Sequence, residues 1–206
     1  FNFDGQTIVL EDYLEICPEK YDLLKKYIRE ERIVVGPWYV LPDEFCVSGE
    51  SLIRNLLKGH RIASEFGACS KVGYLPDMFG HISQMPQILR GFGIDNAIIW
   101  RGVSGDRYKS ELWWQSPDGS RVLTYLLPQY CGYNNAALYA DSLPPHLRSK
   151  YTEWDYMLTQ QPEEAVKALA EIVKVSRNNA QVPVLLLLNG IDHMEPQPEL
   201  PGILER

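Results

Sequence analysis

Residues 71–81 read KVGYLPDMFGH, and this stretch decides the fold. Lys71 to Leu75 is short and apolar enough for a buried strand. It runs straight into Pro76, which carries no backbone donor and suits the end of a strand. Asp77 and His81 then follow, so the strand delivers a carboxylate and an imidazole at its C-terminal end. Working outward, the same design recurs. Arg32 to Gly36 is a short β-branched run leading to Trp38 and Pro42-Asp43-Glu44. Asn96 to Trp100 ends at Arg101, Val122 to Leu127 leads to Gln129 and Tyr130, and Val184 to Leu188 leads to Asn189-Gly190-Ile191-Asp192-His193. Val184 to Leu188 is the most buried-looking strand of the set.

Helical patterns separate these runs. Pro18 to Glu31 places Tyr21, Leu24 and Ile28 on one face, with proline in the first turn. Ser51 to Phe66 carries Leu52, Ile53, Leu56, Leu57 and Ala63 as its apolar stripe. Met85 to Phe92 starts with Pro86, and Pro162 to Val175 has Glu163 and Glu164 in its first turn. Apolar strands alternating with amphipathic helices predict an α/β fold with parallel strands and crossover helices. Residues 130–161, rich in Tyr, Asn and Pro, fit no periodic element. A connection of that length suits an active-site loop, a helical subelement or a disordered segment.

Composition bounds the function. The chain has 206 residues, 45% hydrophobic and 23% charged, which describes an ordinary globular protein rather than a disordered one. A net charge of −7 argues against a nucleic-acid partner, which needs a basic face. No window offers the roughly 18 apolar residues of a membrane span. The opening FNFDGQTIVL shows neither a starting Met nor a signal-peptide pattern and reads as mid-domain sequence, so a fragment is expected. Cys17, Cys46, Cys69 and Cys131 are widely and irregularly spaced, which favours free buried thiols in a reducing compartment over a disulfide framework or a cysteine zinc site.

In open α/β sheets and barrels, ligands bind at the C-terminal ends of strands. Asp77 and Asp192 are the two carboxylates there. Taken singly, each suits a helix N-cap just as well. As a pair they suit glycoside hydrolysis, in which one carboxylate faces the anomeric carbon and a second group protonates the leaving oxygen. In retaining enzymes the two stand roughly 5–5.5 Å apart. Each of these aspartates has a histidine nearby, His81 and His193, suited to substrate contact, orientation of a neighbour or metal ligation. His60 lies mid-helix and reads as structural, and His146 as solvated. The residues alone do not compose a complete metal site, and there is no HExxH pattern.

Three blocks carry a resemblance to a known family. GYLPDMFGHISQMPQILRGFGIDNAIIWRGV, residues 73–103, is similar to the signature block of glycoside hydrolase family 38, the α-mannosidases. GPWYVLPDEFCVSGESLIRNLLKGHRIASEFG, residues 36–67, resembles the block before it, and LLLLNGIDHMEPQP, residues 185–198, the later block of the bacterial-type branch. The resemblance implies that residues 1–206 are the central part of the N-terminal catalytic domain, an incomplete, distorted seven-stranded parallel β/α barrel-like domain truncated at both ends. It implies retaining cleavage of α-linked mannose with a bound Zn2+. Residue by residue, Asp77 matches the nucleophile that also ligates zinc, Phe79 a residue near the bound sugar, Arg101 a pocket arginine and Asp192 the general acid. Trp38 is a candidate to pack on a sugar face, with a core aromatic as the equal alternative. His193 is a substrate-contact candidate beside Asp192. The remaining zinc ligands are expected outside the chain, from a His-x-His-x-Asp-type motif before it and a histidine motif after it, so the isolated chain is expected to be inactive. The implied partner is a mannose-containing oligosaccharide, with no nucleic acid and no membrane. The full-length protein is compatible with homo-oligomer formation, and the bacterial-type branch and free cysteines point to a cytoplasmic location. Two other readings stand beside this one: a metal-dependent carbohydrate deacetylase using metal-activated water, and a non-catalytic carbohydrate-binding remnant.

Overall fold

The computed structural model describes residues 1–105, 107–139, 143–148, 158–192 and 195–206. The chain divides into two compact units, Phe1–Val103 with Trp113–Tyr125, and Ser104–Leu112 with Leu126–Arg206. The first mixes helices with strands, as the α/β reading requires, and the second is mainly helical among its described residues.

The first unit opens with α1 (Ile8–Ile16), a 3-10 turn at Pro18–Lys20, α2 (Tyr21–Arg29) and α3 (Gly49–Phe66). Ser48 caps α3 by accepting the Ser51 N–H. Leu10, Leu24, Ile28, Ile62, Ala63 and Phe66 from these helices close around Val35. The Arg32–Gly36 run does not form the strand its β-branching predicts. It makes isolated parallel bridges to the N-terminus instead, Asn2 with Val34 and Gln6 with Trp38. The ladder cannot continue because Pro37 has no N–H and Gly36 turns the chain at φ 76°.

Next come β1 (Gly73–Leu75), α4 (Met85–Gly91) and β2 (Asn96–Ile99). The two strands are parallel, pairing Gly73 with Ala97, Tyr74 with Ile98 and Leu75 with Ile99. This is the expected crossover unit, and α4 packs onto Gly73 so closely that a Cβ there would lie 2.7 Å from Leu89 Cδ1. β3 (Glu111–Gln115) and β4 (Arg121–Leu126) complete a four-stranded sheet of order β1-β2-β4-β3. β3 and β4 are sheet neighbours joined by a tight turn, in which Ser116 donates to the Ser120 carbonyl at 2.8 Å and Gly119 sits at φ 87°. A turn this short joins antiparallel strands, so the sheet is mixed rather than all-parallel as the sequence suggested.

In the second unit, α5 (Pro145–Arg148), α6 (Pro162–Asn179) and α7 (Leu200–Leu204) surround Leu138, Leu143, Leu158, Ala168 and Ile172. The 130–161 connection holds 3-10 turns at Gly132–Asn134 and Leu158–Gln160 besides α5, with turns and irregular backbone between them where it is described. Val184–Leu188 departs most from expectation. It is not a strand, and Val184 is 69% exposed. Its polar groups bond to a buried side chain: Asn135 donates to the Leu186 carbonyl at 2.9 Å and accepts from Leu188 N–H at 2.7 Å. Among the described residues, no helix is long and apolar enough to cross a membrane.

Two outcomes follow from this packing. Gly59 in α3 meets backbone, since a Cβ there would lie 2.2 Å from the Pro37 carbonyl and 2.5 Å from the Trp38 carbonyl carbon. Gly59→Ala gains up to about 1 kcal/mol of helix propensity, but overpacking against rigid backbone costs about 1–3 kcal/mol. The substitution should lower the denaturation midpoint; a raised midpoint would contradict this packing. The four thiols are free, and they differ in environment. Burial pushes Cys69 up to about 11 and Cys131 up to about 12, whereas Cys46 is exposed. Alkylation of the folded protein near neutral pH should therefore modify Cys46 first and Cys131 last, read by peptide mass spectrometry. Equal rates at the two would refute the burial.

Candidate functional site

The chemistry-bearing groups of the first unit gather where β1 and β2 end. Because Leu75 pairs with Ile99, the chain segments that follow the two strands run side by side. Arg101 N–H donates to the Pro76 carbonyl at 3.2 Å, which sets Arg101 next to Asp77. Arg101 Nε then donates to Asp77 Oδ1. The two side chains are 40% and 42% exposed, so the pair is open to solvent and contributes little to stability. The contact occupies one carboxylate oxygen, and Oδ2 remains open to a ligand. The guanidinium also lies over Trp100, 4.3 Å from its ring centroid, and 5.5 Å from that of Phe79.

Phe79 is 72% exposed, which is unusual for a large apolar side chain and suits a surface that receives a sugar face. Phe45 is exposed beside it and lies against Gly80, where a Cβ would sit 2.4 Å from the Phe45 ring. Sequence reading passed over Phe45, which sits in the quoted 36–67 block with nothing in its neighbours to mark it.

His81 is buried, with both ring nitrogens engaged. Nδ1 lies 2.7 Å from Glu44 Oε1 and Nε2 lies 2.9 Å from the Arg101 carbonyl. Of the three roles open to it from sequence, orientation of a neighbour is the one this geometry serves, because no lone pair is left for a metal or substrate. Glu44 was not singled out, since nothing in Pro42-Asp43-Glu44 says which carboxylate turns inward.

Of its two readings, Trp38 takes that of a core aromatic. It is fully buried, its indole N–H donates to the Tyr74 carbonyl at 3.0 Å, and it presents no face to a sugar. The physical reason is the close approach of α3 at Gly59, which presses the Pro37–Tyr39 backbone inward.

In the second unit, Asp192 is exposed and accepts a hydrogen bond from Tyr133 Oη at 2.9 Å. Tyr133 belongs to the irregular connection and was missed individually. His193 lies outside the described residues. Neither aspartate is an N-cap: α4 is preceded by Gln84 and α7 by Glu199. The N-cap alternative therefore falls for both.

Among the described residues, no group of three or more His, Cys, Asp or Glu side chains is placed to hold a metal ion. Asp77 Oδ2 is one oxygen donor of the kind zinc accepts, and His81 is not available as a second. The donor set of the described residues thus does not by itself make a zinc site.

The chain is 38% identical over 213 residues to the "Putative mannosylglycerate hydrolase" of Halalkalibacterium halodurans, covering 97% of the chain and 21% of that protein. It is 37% identical over 122 residues to an alpha-mannosidase of Saccharomyces cerevisiae, covering 56% of the chain and 11% of that protein. The crystal structure of an alpha-mannosidase from Enterococcus faecalis V583 superposes with a TM-score of 0.75 at 30% identity, covering all of this chain and 21% of that one. The chain thus spans about a fifth of the length of the Halalkalibacterium halodurans and Enterococcus faecalis proteins. The family model for the glycosyl hydrolases family 38 N-terminal domain matches residues 3–201, and the chain belongs to that family.

Proposed function

We propose that residues 1–206 are the central part of the catalytic domain of a retaining α-mannosidase, with Asp77 as its nucleophile. The observation that carries this reading is the Asp77–Arg101 pair, half-open beside exposed Phe79 at the C-terminal edge of parallel β1 and β2. In the whole domain these strands would belong to a distorted seven-stranded parallel β/α sheet, whose other strands lie outside the described elements.

Asp77 Oδ2 attacks the anomeric carbon while Asp192 gives its proton to the departing glycosidic oxygen. The glycosidic bond breaks and a mannosyl ester forms on Asp77. Asp192 then takes a proton from water as that water attacks the same carbon, releasing mannose and the free Asp77 carboxylate. Arg101 holds the Asp77 carboxylate in one orientation and has further N–H groups for sugar hydroxyls. Phe79 packs on the sugar ring, and Tyr133 orients Asp192. A bound zinc would supply Lewis-acid contacts to sugar hydroxyls. Its ligands would be Asp77 and residues beyond this chain. His193, next to Asp192 in sequence, is a candidate substrate contact. Four free cysteines support a reducing, cytoplasmic location.

The substrate is an α-mannoside, and mannose-containing oligosaccharides are the first class to test. The match of 97% of this chain, at 38% identity, to about a fifth of the Halalkalibacterium halodurans protein supports testing a second substrate, the small anionic mannoside mannosylglycerate.

The decisive assay is hydrolysis of an aryl α-mannoside and of mannosylglycerate by the full-length protein, before and after chelation. Activity should fall on chelation, return with zinc, and drop at least about 10³-fold in Asp77→Ala. Full activity in Asp77→Ala would refute the nucleophile assignment. Deacetylation without mannoside cleavage would favour the deacetylase reading, and mannose binding without turnover the remnant.

Tyr133→Phe tests the acid separately. It should slow mannosides with poor leaving groups by about 10-fold while sparing activated aryl mannosides, which need little proton assistance. Equal effects on both classes would remove Tyr133 from proton delivery.

A further inference from the structure

Glu44 is a carboxylate with 0% side-chain exposure, and His81 beside it is 6% exposed. Acidic side chains are almost never buried so completely without specific partners. Glu44 has two: Oε1 faces His81 Nδ1 at 2.7 Å, and Oε2 accepts the Ile82 N–H at 2.8 Å. Buried ionic pairs of this kind are poor stabilisers, because an apolar pair of equal volume often does as well. What the pair secures is geometry.

That geometry ends at Arg101. A carbonyl can only accept, so His81 Nε2 carries a proton and donates it to the Arg101 carbonyl at 2.9 Å. Arg101 N–H is held from the other side by the Pro76 carbonyl at 3.2 Å. Its peptide flanks are thus tied to the residue before Asp77 and to the histidine after it. The two loops also touch directly: a Cβ on Gly102 would lie 2.7 Å from the Gly80 Cα. Trp114 closes the far side of the imidazole, edge to face at 5.2 Å between ring centroids. The Arg101–Asp77 contact, exposed and weak in itself, depends on this main-chain clamp.

We propose that Glu44 and His81 are a buried positioning pair that fixes the Arg101 main chain and, through it, the orientation of the Asp77 carboxylate. Neither touches substrate. The inference rests on the α-mannosidase reading of Asp77.

The test uses the full-length protein and an aryl α-mannoside. If the parent does not hydrolyse it, or Asp77→Ala leaves its activity intact, the underlying reading fails, whatever the pair does. Given an active parent, two substitutions at one position separate the contacts. His81→Gln keeps an amide donor near the Nε2 position, toward the Arg101 carbonyl. His81→Asn keeps one near Nδ1, toward Glu44, and loses the Arg101 contact. Positioning predicts a kcat loss of about 10²-fold in His81→Asn, the scale set by a misplacement of about 1 Å. His81→Gln should lose about 10-fold or less, with KM little changed in both. A merely structural histidine predicts equal losses, tracking the fraction of folded protein seen by thermal unfolding. Equal losses, or kcat near the parent in both, would overturn the proposal. If His81→Asn does not fold, Glu44→Gln decides, since it keeps shape and removes charge. A drop in kcat of about 10-fold at constant KM supports positioning, and a parental kcat overturns it.

Discussion

Leu75 pairs with Ile99, and that one register sets the geometry of the site. It brings Pro76 level with Arg101, so a carbonyl on one loop meets an N–H on the other. Everything polar at this edge is arranged around that bond. Asp77 lies one residue beyond Pro76, close enough for the Arg101 side chain to reach it. His81 lies where its imidazole returns to the Arg101 carbonyl. A slip of one residue would turn every strand side chain to the opposite face and separate these groups. The parallel pair is in turn held by α4, which approaches β1 closely because residue 73 is glycine.

The site thus combines two kinds of interaction. Inside, Glu44 and His81 satisfy each other and the backbone in a low-dielectric setting where unpaired groups are costly. Outside, Asp77, Arg101 and Phe79 are left open, and solvent screens their charges. A reactive carboxylate has to be accessible, so its orientation is secured by what lies beneath it. The division also explains why one histidine at this edge cannot serve as a metal ligand while the aspartate four residues before it still has a free oxygen.

Much of this was legible in the sequence. Gly73–Leu75, Asn96–Ile99 and Arg121–Leu126 appear as strands where apolar runs meet glycine or proline, with shifts of a residue or two at their ends. α3 begins two residues early and buries Leu52, Leu56 and Ala63 of its predicted stripe but leaves Ile53 and Leu57 exposed, and α6 runs four residues past Val175. The Arg32–Gly36 and Val184–Leu188 runs misled because β-branching and hydrophobicity state a preference, while a strand needs a neighbour. In the one case a proline interrupts the ladder, and in the other Asn135 takes the place of a partner. The β3–β4 hairpin went unread although Ser116-Pro117-Asp118-Gly119-Ser120 is a strong turn pattern. At the site, Asp77 and Arg101 stood out by their place after strands, and Phe79 through the resemblance to the family's signature block. Burial of Glu44 was invisible and that of Trp38 was one of two open readings, because both depend on how close distant segments come.

The placement of the tryptophans has a spectroscopic consequence. Trp38 is wholly enclosed and bonded through its indole N–H to the Tyr74 carbonyl of β1, whereas Trp113 lies largely in solvent on β3. Trp38 should emit at short wavelength, sheltered from dissolved quenchers, and Trp113 at longer wavelength within their reach. The chain therefore contains a built-in optical reporter bonded to the strand that leads to Asp77, and its colour registers whether the backbone before the carboxylate is still closed.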